Sequence, residues 1–340
     1  MARIGVGLRI VGALLGLAAL AIGIAAAMVW HWLQQPLPLR TASAELSIEA
    51  GMTPRAVAEG WVDAGVEVPS WMLYEWFRWS GQARRIRAGS YQIDAGATPR
   101  QLLDKMVQGD ELLERVRVIE GWTFRQMRGA LAAAPHLKPS TRAMSDAELM
   151  AAIGAPAGMA AEGRFFPDTY AYSRGVSDLT VLRRAYQAMQ RRLASAWEQR
   201  APGLPLQSAD EALILASIVE KETGRAEDRA QIAGVFVNRL RIGMPLQTDP
   251  TVIYGLGERF DGNLRKRDLQ TDTPFNTYTR GGLPPTPIAL PGMASLRAAL
   301  QPQATKALYF VARGDGSSVF SENLADHNRA VNRYQRGGSP

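Results

Sequence analysis

Cysteine is absent from this 340-residue chain. Disulfides, thiol nucleophiles and cysteine-ligated zinc are thereby excluded. Histidine is scarce: His31, His136 and His327 lie far apart, and none forms a His-x-x-x-His pair. No metal site and no cofactor are expected. Concentrated basic blocks are also lacking. The net charge is +7, a balance that suits anionic partners such as lipid headgroups or acidic cell-wall polymer. Its densest clusters, Arg84-Arg85-Ile86-Arg87 and Arg265-Lys266-Arg267, are short. Both read as solvated surface, and nucleic acid is not expected as a partner. There is no second membrane-length apolar run, which argues against a transporter.

What is present begins with residues 10–32, apolar throughout except for His31. That is about the ~20 residues a helix needs to cross a bilayer. Arg3 and Arg9 precede the run and no acidic residue does, so the positive-inside bias puts the N-terminus in the cytoplasm. Trp30 and Trp32 then fall at the outer interface, where indole rings prefer to lie. A cleavable signal peptide is the alternative, with Ala25-Ala26-Ala27 as its small residues. The apolar run continues to Trp32, which favours an uncleaved single-pass anchor with the rest of the chain outside the membrane. Residues 1–9 form the expected cytoplasmic tail. Residues 33–44, with Pro36 and Pro38, read as a short extended linker.

A weak repeat follows. Ile48-Glu49-Ala50-Gly51-Met52-Thr53-Pro54-Arg55 matches Ile93-Asp94-Ala95-Gly96-Ala97-Thr98-Pro99-Arg100, and Val118-Ile119-Glu120-Gly121-Trp122-Thr123-Phe124-Arg125 is a looser third copy. Each is a short β-prone run, a Gly turn, then a Thr placed to cap a helix. In the first two copies Pro fills the first helical position, which suits it. The length suggests about two domains: a small strand–helix module over 45–112 and a larger mixed domain over 113–340. The fold class is α+β.

Within the larger domain, Glu162-Gly163-Arg164-Phe165-Phe166-Pro167-Asp168-Thr169-Tyr170 offers the aromatic and polar groups of a sugar-binding wall. Phe165 and Phe166 read more simply as core. An arginine-rich amphipathic helix is expected over 179–200. The run Leu213-Ile214-Leu215-Ala216-Ser217-Ile218-Val219 is apolar on every side and predicts a buried helix. Ser208 with Glu211 reads as its capping box, and Gly224 as a left-handed C-terminal cap. Glu220 therefore stands where a buried helix runs out into a polar region. Burial disfavours the charged form of a carboxyl, and an acid kept neutral near pH 7 can donate a proton. On the helix alone, a surface glutamate is the simpler reading. Glu222 lies about 200° round the helix from Glu220, so the two do not share one cleft, and Glu222 is assigned a structural role.

A second helix is expected from Asp228 to Leu240, stopped by Gly243. Beyond it the chain reads as loops dense in hydrogen-bonding side chains: Gln247-Thr248-Asp249-Pro250-Thr251, Tyr254-Gly255, and Asn276-Thr277-Tyr278. Such groups on loops held by buried helices build many binding sites. Asp249, before Pro250, is expected to be extended or in a turn. Asn276 and Tyr278 would share one face of an extended segment.

These motifs carry a resemblance. Ala216-Ser217-Ile218-Val219-Glu220-Lys221-Glu222-Thr223, Val237-Asn238-Arg239-Leu240, Leu246-Gln247-Thr248-Asp249-Pro250-Thr251-Val252-Ile253-Tyr254-Gly255, and Asn276-Thr277-Tyr278 with Gly282-Leu283-Pro284-Pro285 resemble, in order, the signature of the YceG-like family of endolytic murein transglycosylases. The likeness spans about 113–334, and more weakly the anchor and the 45–112 region, which resembles a LysM-like module. True LysM domains bind N-acetylglucosamine polymers; here glycan binding and a plain spacer both remain open. Three positions depart from the family pattern: Arg164 for an aromatic, Phe275 for a tyrosine and Thr286 for a glycine.

The resemblance implies a substrate, peptidoglycan glycan strands, cut within the chain between N-acetylmuramic acid and N-acetylglucosamine to leave 1,6-anhydromuramyl ends. Glu220 would be the acid–base residue. Ser217, Gln247, Thr248, Asp249, Tyr254, Asn276 and Tyr278 would contact substrate. It also implies a site in the cell inner membrane with the catalytic domain periplasmic, a role in terminating nascent strands, and peptidoglycan synthases or division proteins as partners. Two rival readings remain: a non-catalytic peptidoglycan-binding scaffold, and a hydrolase pairing Glu220 with Asp249 around a water.

Overall fold

The computed structural model describes residues 2–337, with side chains from residue 14 onward. The side chains of Arg3 and Arg9, on which the orientation expectation rests, lie outside those described. Two compact units divide between Glu114 and Arg115.

The first unit opens with helix α1 (Ala2–Trp32). Its stretch Leu14–Trp32 is long and apolar enough to cross a membrane and none of it is buried. Strand β1 (Ser43–Ile48), helices α2 (Pro54–Asp63) and α3 (Ser70–Trp79), strand β2 (Gly89–Asp94) and helix α4 (Pro99–Gln108) follow. β1 and β2 pair antiparallel, from Ser43 opposite Asp94 to Ile48 opposite Gly89. Trp61, Phe77, Leu102 and Met106 share one buried core with this two-stranded sheet. The expected linker is not free chain. Leu37 is buried in this same core, its amide donates to Ala97 O at 2.7 Å, and Ser43 already belongs to β1.

The three repeat copies share one local solution. Gly51, Gly96 and Gly121 all take positive φ, which a side chain would oppose. Thr53, Thr98 and Thr123 cap α2, α4 and a helix in the second unit by accepting from the amide three residues on. In the last two, Gln101 and Gln126 complete a capping box.

Strand β3 (Leu113–Arg117) runs across the boundary and pairs with β4 (Thr169–Ser173). Between them lie α5 (Phe124–Ala133) and α6 (Asp146–Ala152). The long α7 (Asp178–Glu198) serves two cores: Val181, Leu182 and Tyr186 pack with β3, α5 and β4, while Met189 and Leu193 pack with the later helices. Those are α8 (Ala209–Glu222), α9 (Ala226–Arg241), α10 (Asp249–Leu256), the short α11 (Lys266–Gln270) and α12 (Met293–Leu300). Strands β5 (Tyr309–Ala312) and β6 (Ser318–Ser321) form an antiparallel hairpin, and α13 (Leu324–Tyr334) packs on it.

The all-round apolar run of α8 is buried from Ala212 to Val219, as its composition predicts. Its ends differ from expectation. Ser208 accepts from the Glu211 amide, but the Glu211 carboxylate reaches back to the amide of Gln207. The helix stops at Glu222 with Thr223 extended, and the Thr223 hydroxyl accepts from the Arg225 amide. Gly224 is thus not a left-handed cap. The segment expected as loop around Asp249 is helix: Asp249-Pro250 opens the first turn of α10, where proline's missing amide costs nothing.

Candidate active site

The last turn of α8 sends its two carboxylates to different neighbours. Glu220, half-buried, accepts a hydrogen bond from the Gly292 amide at 2.9 Å. Gly292 is the N-cap of α12, so this carboxylate faces the positive end of a helix, where an anion is stabilised. The third repeat copy closes the other side. A Cβ on Gly121 would touch Glu220 Cγ and Lys221 Cδ at 3.8 Å, and Lys221 Nζ donates to Gly121 O at 3.3 Å. Glu120 comes with that turn. Burial, then the Glu220 charge, push its carboxyl up, against an opposing pull from Arg229.

Glu222 leaves the helix toward α10. The Thr248 hydroxyl donates to its carboxylate, and Asp249, beside it, accepts from the Tyr278 hydroxyl at 2.6 Å. Burial, with the Asp249 charge adding to it, pushes Glu222 up to about 7 against the Thr248 bond and Arg239. Burial also pushes the Tyr278 hydroxyl upward. Thr248 is itself fixed, its amide bonded to the Thr277 hydroxyl and its carbonyl to Thr251. Thr248, Asp249 and Tyr278, expected around Glu220, are therefore gathered round Glu222. An i, i+2 pair on a helix end makes that partition inevitable. Glu222, expected to be structural, is held by the Thr248 hydroxyl.

A third carboxyl stands at a cavity of about 1040 Å³ lined by Phe124, Arg125, Glu162, Lys221, Tyr254, Phe260 and Thr286, among others. Glu162 is buried. It accepts from the Phe124 amide at 2.9 Å, the Gly163 amide at 3.3 Å and the Tyr254 hydroxyl at 3.2 Å. Burial nevertheless dominates and raises Glu162 to about 7.

The remaining expected contacts divide clearly. Tyr254 reaches the cavity wall, on a helix instead of a loop. Gln247 is exposed and holds φ +47, a left-handed conformation that a non-glycine residue rarely adopts; such strain clusters at functional sites. Ser217 touches no open surface. Fully buried, it donates to Ile214 O and accepts from the Ile288 amide at 3.0 Å. Asn276 is likewise buried, in a turn and not in an extended segment. Its amide group donates to the carbonyls of Leu269 and Thr271 at 3.0 and 2.7 Å, and its Oδ1 accepts from the Tyr278 amide. Both residues hold backbone.

The departures from the family pattern have local partners. Arg164 is buried and ion-paired to Asp210. Phe275 packs edge-on against Tyr254 with ring centroids 4.8 Å apart, and Thr286 lines the cavity. Glu120 and Glu162 were absent from the expected site set. One signal was available for each. Glu120 replaces the alanine of the other two repeat copies, and Phe124 replaces their proline, which frees an amide for Glu162.

The model of the YceG-like family matches residues 46–333. An endolytic murein transglycosylase of Bacillus subtilis is 40% identical over 173 residues, which is 51% of this chain and 48% of that protein. One from Streptococcus pneumoniae serotype 2 is 32% identical over 176 residues, 50% of this chain and 31% of that protein. The chain spans about half the length of the first relative and less of the second. Among solved structures, a yceG-like protein from Listeria monocytogenes matches with a TM-score of 0.55 and 29% identity, over 84% of this chain and 98% of that one.

Proposed function

The chain belongs to the YceG-like family, and on that footing we propose that it is a peptidoglycan lytic transglycosylase with Glu220 as its acid–base residue. The observation that carries the reading is the Glu220 carboxylate held by the Gly292 amide at the start of α12. A carboxyl in that place can give up a proton and be stabilised as the anion that results.

The reaction balances on one residue. Protonated Glu220 gives its proton to the glycosidic oxygen as the bond from the N-acetylmuramyl anomeric carbon to N-acetylglucosamine breaks. The carboxylate then accepts the proton of the muramyl 6-hydroxyl as that oxygen bonds to the anomeric carbon. A 1,6-anhydro ring closes, Glu220 is protonated again, and no water is consumed. Ordinary glycosidases use two carboxylates; here the nucleophile is the sugar's own hydroxyl, so no second carboxylate is required. Positioned acid–base transfer supplies roughly 10²–10⁴-fold, so substrate placement carries the rest. We place the glycan along the cavity lined by Lys221, Tyr254, Phe260 and Thr286, with Gln247, Thr248, Asp249 and Tyr278 at its margin.

In this reading α1 is the membrane anchor, with the N-terminus cytoplasmic and the second unit outside the inner membrane, near nascent polymer whose growth it ends. The 45–112 module acts as a LysM-like glycan contact or as a spacer, and synthases or division proteins are the partners. A second reading draws on the Glu222–Asp249 neighbourhood: two carboxylates activating a water, which would yield a reducing end.

Digestion of purified sacculi by the full chain in detergent, with wild type beside Glu220→Gln and Glu222→Gln, decides between them by mass spectrometry. Anhydromuramyl ends that vanish only in Glu220→Gln are the expected result. Products one water heavier, lost in Glu222→Gln, would replace the proposal with the hydrolase. Sacculus binding without cleavage, on nascent glycan too, would leave a scaffold.

A further inference from the structure

Three copies of one turn occur in this chain, and one of them differs in a way the fold uses. The residue before the turn glycine is Ala50 and Ala95 in the first two copies, and Glu120 in the third. That third turn is the one that closes on Glu220. Gly292 lies between the two carboxyl groups. Its amide donates to Glu220 Oε2, while a Cβ in place of its hydrogen would stand 1.8 Å from Glu120 Oε1 and 2.3 Å from Glu120 Cδ. The Glu120 carboxyl thus occupies the space that a side chain on Gly292 would take. The backbone around them is tied: the Gly121 amide donates to Leu290 O and the Leu290 amide to Trp122 O, at 2.9 and 2.7 Å. Glu120 itself is exposed, so solvent reaches it.

We propose that Glu120 is a positioning residue of the reaction centre, whose charge acts through Glu220 to keep the latter's proton available as the pH rises. The inference rests on the transglycosylase reading for its chemical meaning, and on the Glu120–Gly292–Glu220 contact for its geometry. Two carboxyl groups held against one glycine interact as like charges, each disfavouring ionisation of the other. Burial first, and then the Glu220 charge, push the Glu120 carboxyl up. The other charged groups that face the pair are Arg229 on α9, whose cation draws Glu120 down, and Lys221 on α8, held at Gly121 O. The partial positive charge of the α12 N-terminus meets Glu220. With Glu120 removed, these cations and the helix end act on Glu220 with nothing to oppose them.

The test is the pH profile of anhydromuramyl release by the full chain in detergent. In Glu120→Gln the alkaline limb should move to lower pH by about half a unit or more, with little loss on the acid side. Glu120→Asp, which keeps the charge, should return the limb toward wild type. A limb that stays in place in Glu120→Gln overturns the proposal, whether or not overall activity falls. Should wild type release no anhydromuramyl ends, the reaction assignment fails first. The pair is then read without turnover, by pH titration of 13C-labelled glutamate carboxyls assigned by the two Gln variants. A Glu120 midpoint that falls in Glu220→Gln supports the pair; one that does not move overturns it.

Discussion

The Phe124 amide donates to the Glu162 carboxylate at 2.9 Å, a bond that Pro54 and Pro99, at the matching positions of the other two repeat copies, have no hydrogen to make. One substitution at a helix start thus turns a capping motif into part of a cavity wall. Phe124 also stacks on Phe165, with centroids 4.7 Å apart, so the same residue fixes the core behind that wall.

Stability should fall with rising pH because of Glu162. Its carboxyl is raised from 4.5 to about 7. Between those values the folded chain keeps a proton that the unfolded chain has lost, so unfolding becomes easier across that window and levels off above it. Glu222 is raised to about the same value and adds to the decline. Melting temperatures at about pH 5 and pH 8 should differ in wild type, less in Glu162→Gln, and least in the double variant with Glu222→Gln. A decline of equal size in all three would rule this origin out.

Ser217→Ala should destabilise without removing any substrate contact. It leaves the buried Ile288 amide without an acceptor, at a cost of ~1–3 kcal/mol. For a unit of this size that is roughly 2–4 °C of melting temperature per kcal/mol. Activity should drop with it, since Ile288 lies four residues before Gly292. An unchanged melting temperature would show that the buried bond carries no weight.

Gly292→Ala should do the reverse. The backbone there, at φ −79, accepts alanine, and the residue met by the new methyl is the end of exposed Glu120. Stability should hold or rise by ~0.4–1 kcal/mol, as for other compatible Gly→Ala changes. Turnover should fall and its alkaline limb should shift as in Glu120→Gln. Full activity with a wild-type profile would mean that the Glu120 placement is immaterial.

Asn276→Ala should be read in the fold and not in substrate affinity. It deprives the carbonyls of Leu269 and Thr271 of their donor, so the loop from α11 to Tyr278 should become protease-sensitive and the melting temperature should fall. A raised KM at unchanged melting temperature would return Asn276 to the substrate wall.

Much of this was legible from residues alone. The Gly-x-Thr spacing located three helix starts, because a left-handed turn and a threonine cap are local requirements that no tertiary contact overrides. The buried α8 was equally plain from a seven-residue run, Leu213 to Val219, that is apolar but for Ser217. Position in space was less legible. Thr248, Asp249 and Tyr278 were placed with Glu220, since both motifs are chemically dense, but which carboxylate a loop meets depends on how α10 packs, and periodicity says nothing about that. Polar residues also look alike in sequence whether they face substrate or backbone: Ser217 and Asn276 carry the right groups and spend them on Ile214, Ile288, Leu269 and Thr271. Glu120 and Glu162 were missed for the opposite reason, since each is an ordinary glutamate until its neighbours are known.

Residues 288–292 are pinned to α8 at two points one turn apart, by Ser217 at one end and Glu220 at the other. The first clasp is a hydroxyl and never changes; the second is the group proposed to trade its proton with the sugar. A neutral carboxyl is a poorer acceptor than a carboxylate, so under the proposed mechanism each turnover would loosen and refasten one end of the same short segment. The Gly292 amide is thereby a built-in gauge of the reaction: its hydrogen-exchange rate, followed against pH, would report how often the acid is loaded without a single bond in the glycan being cut.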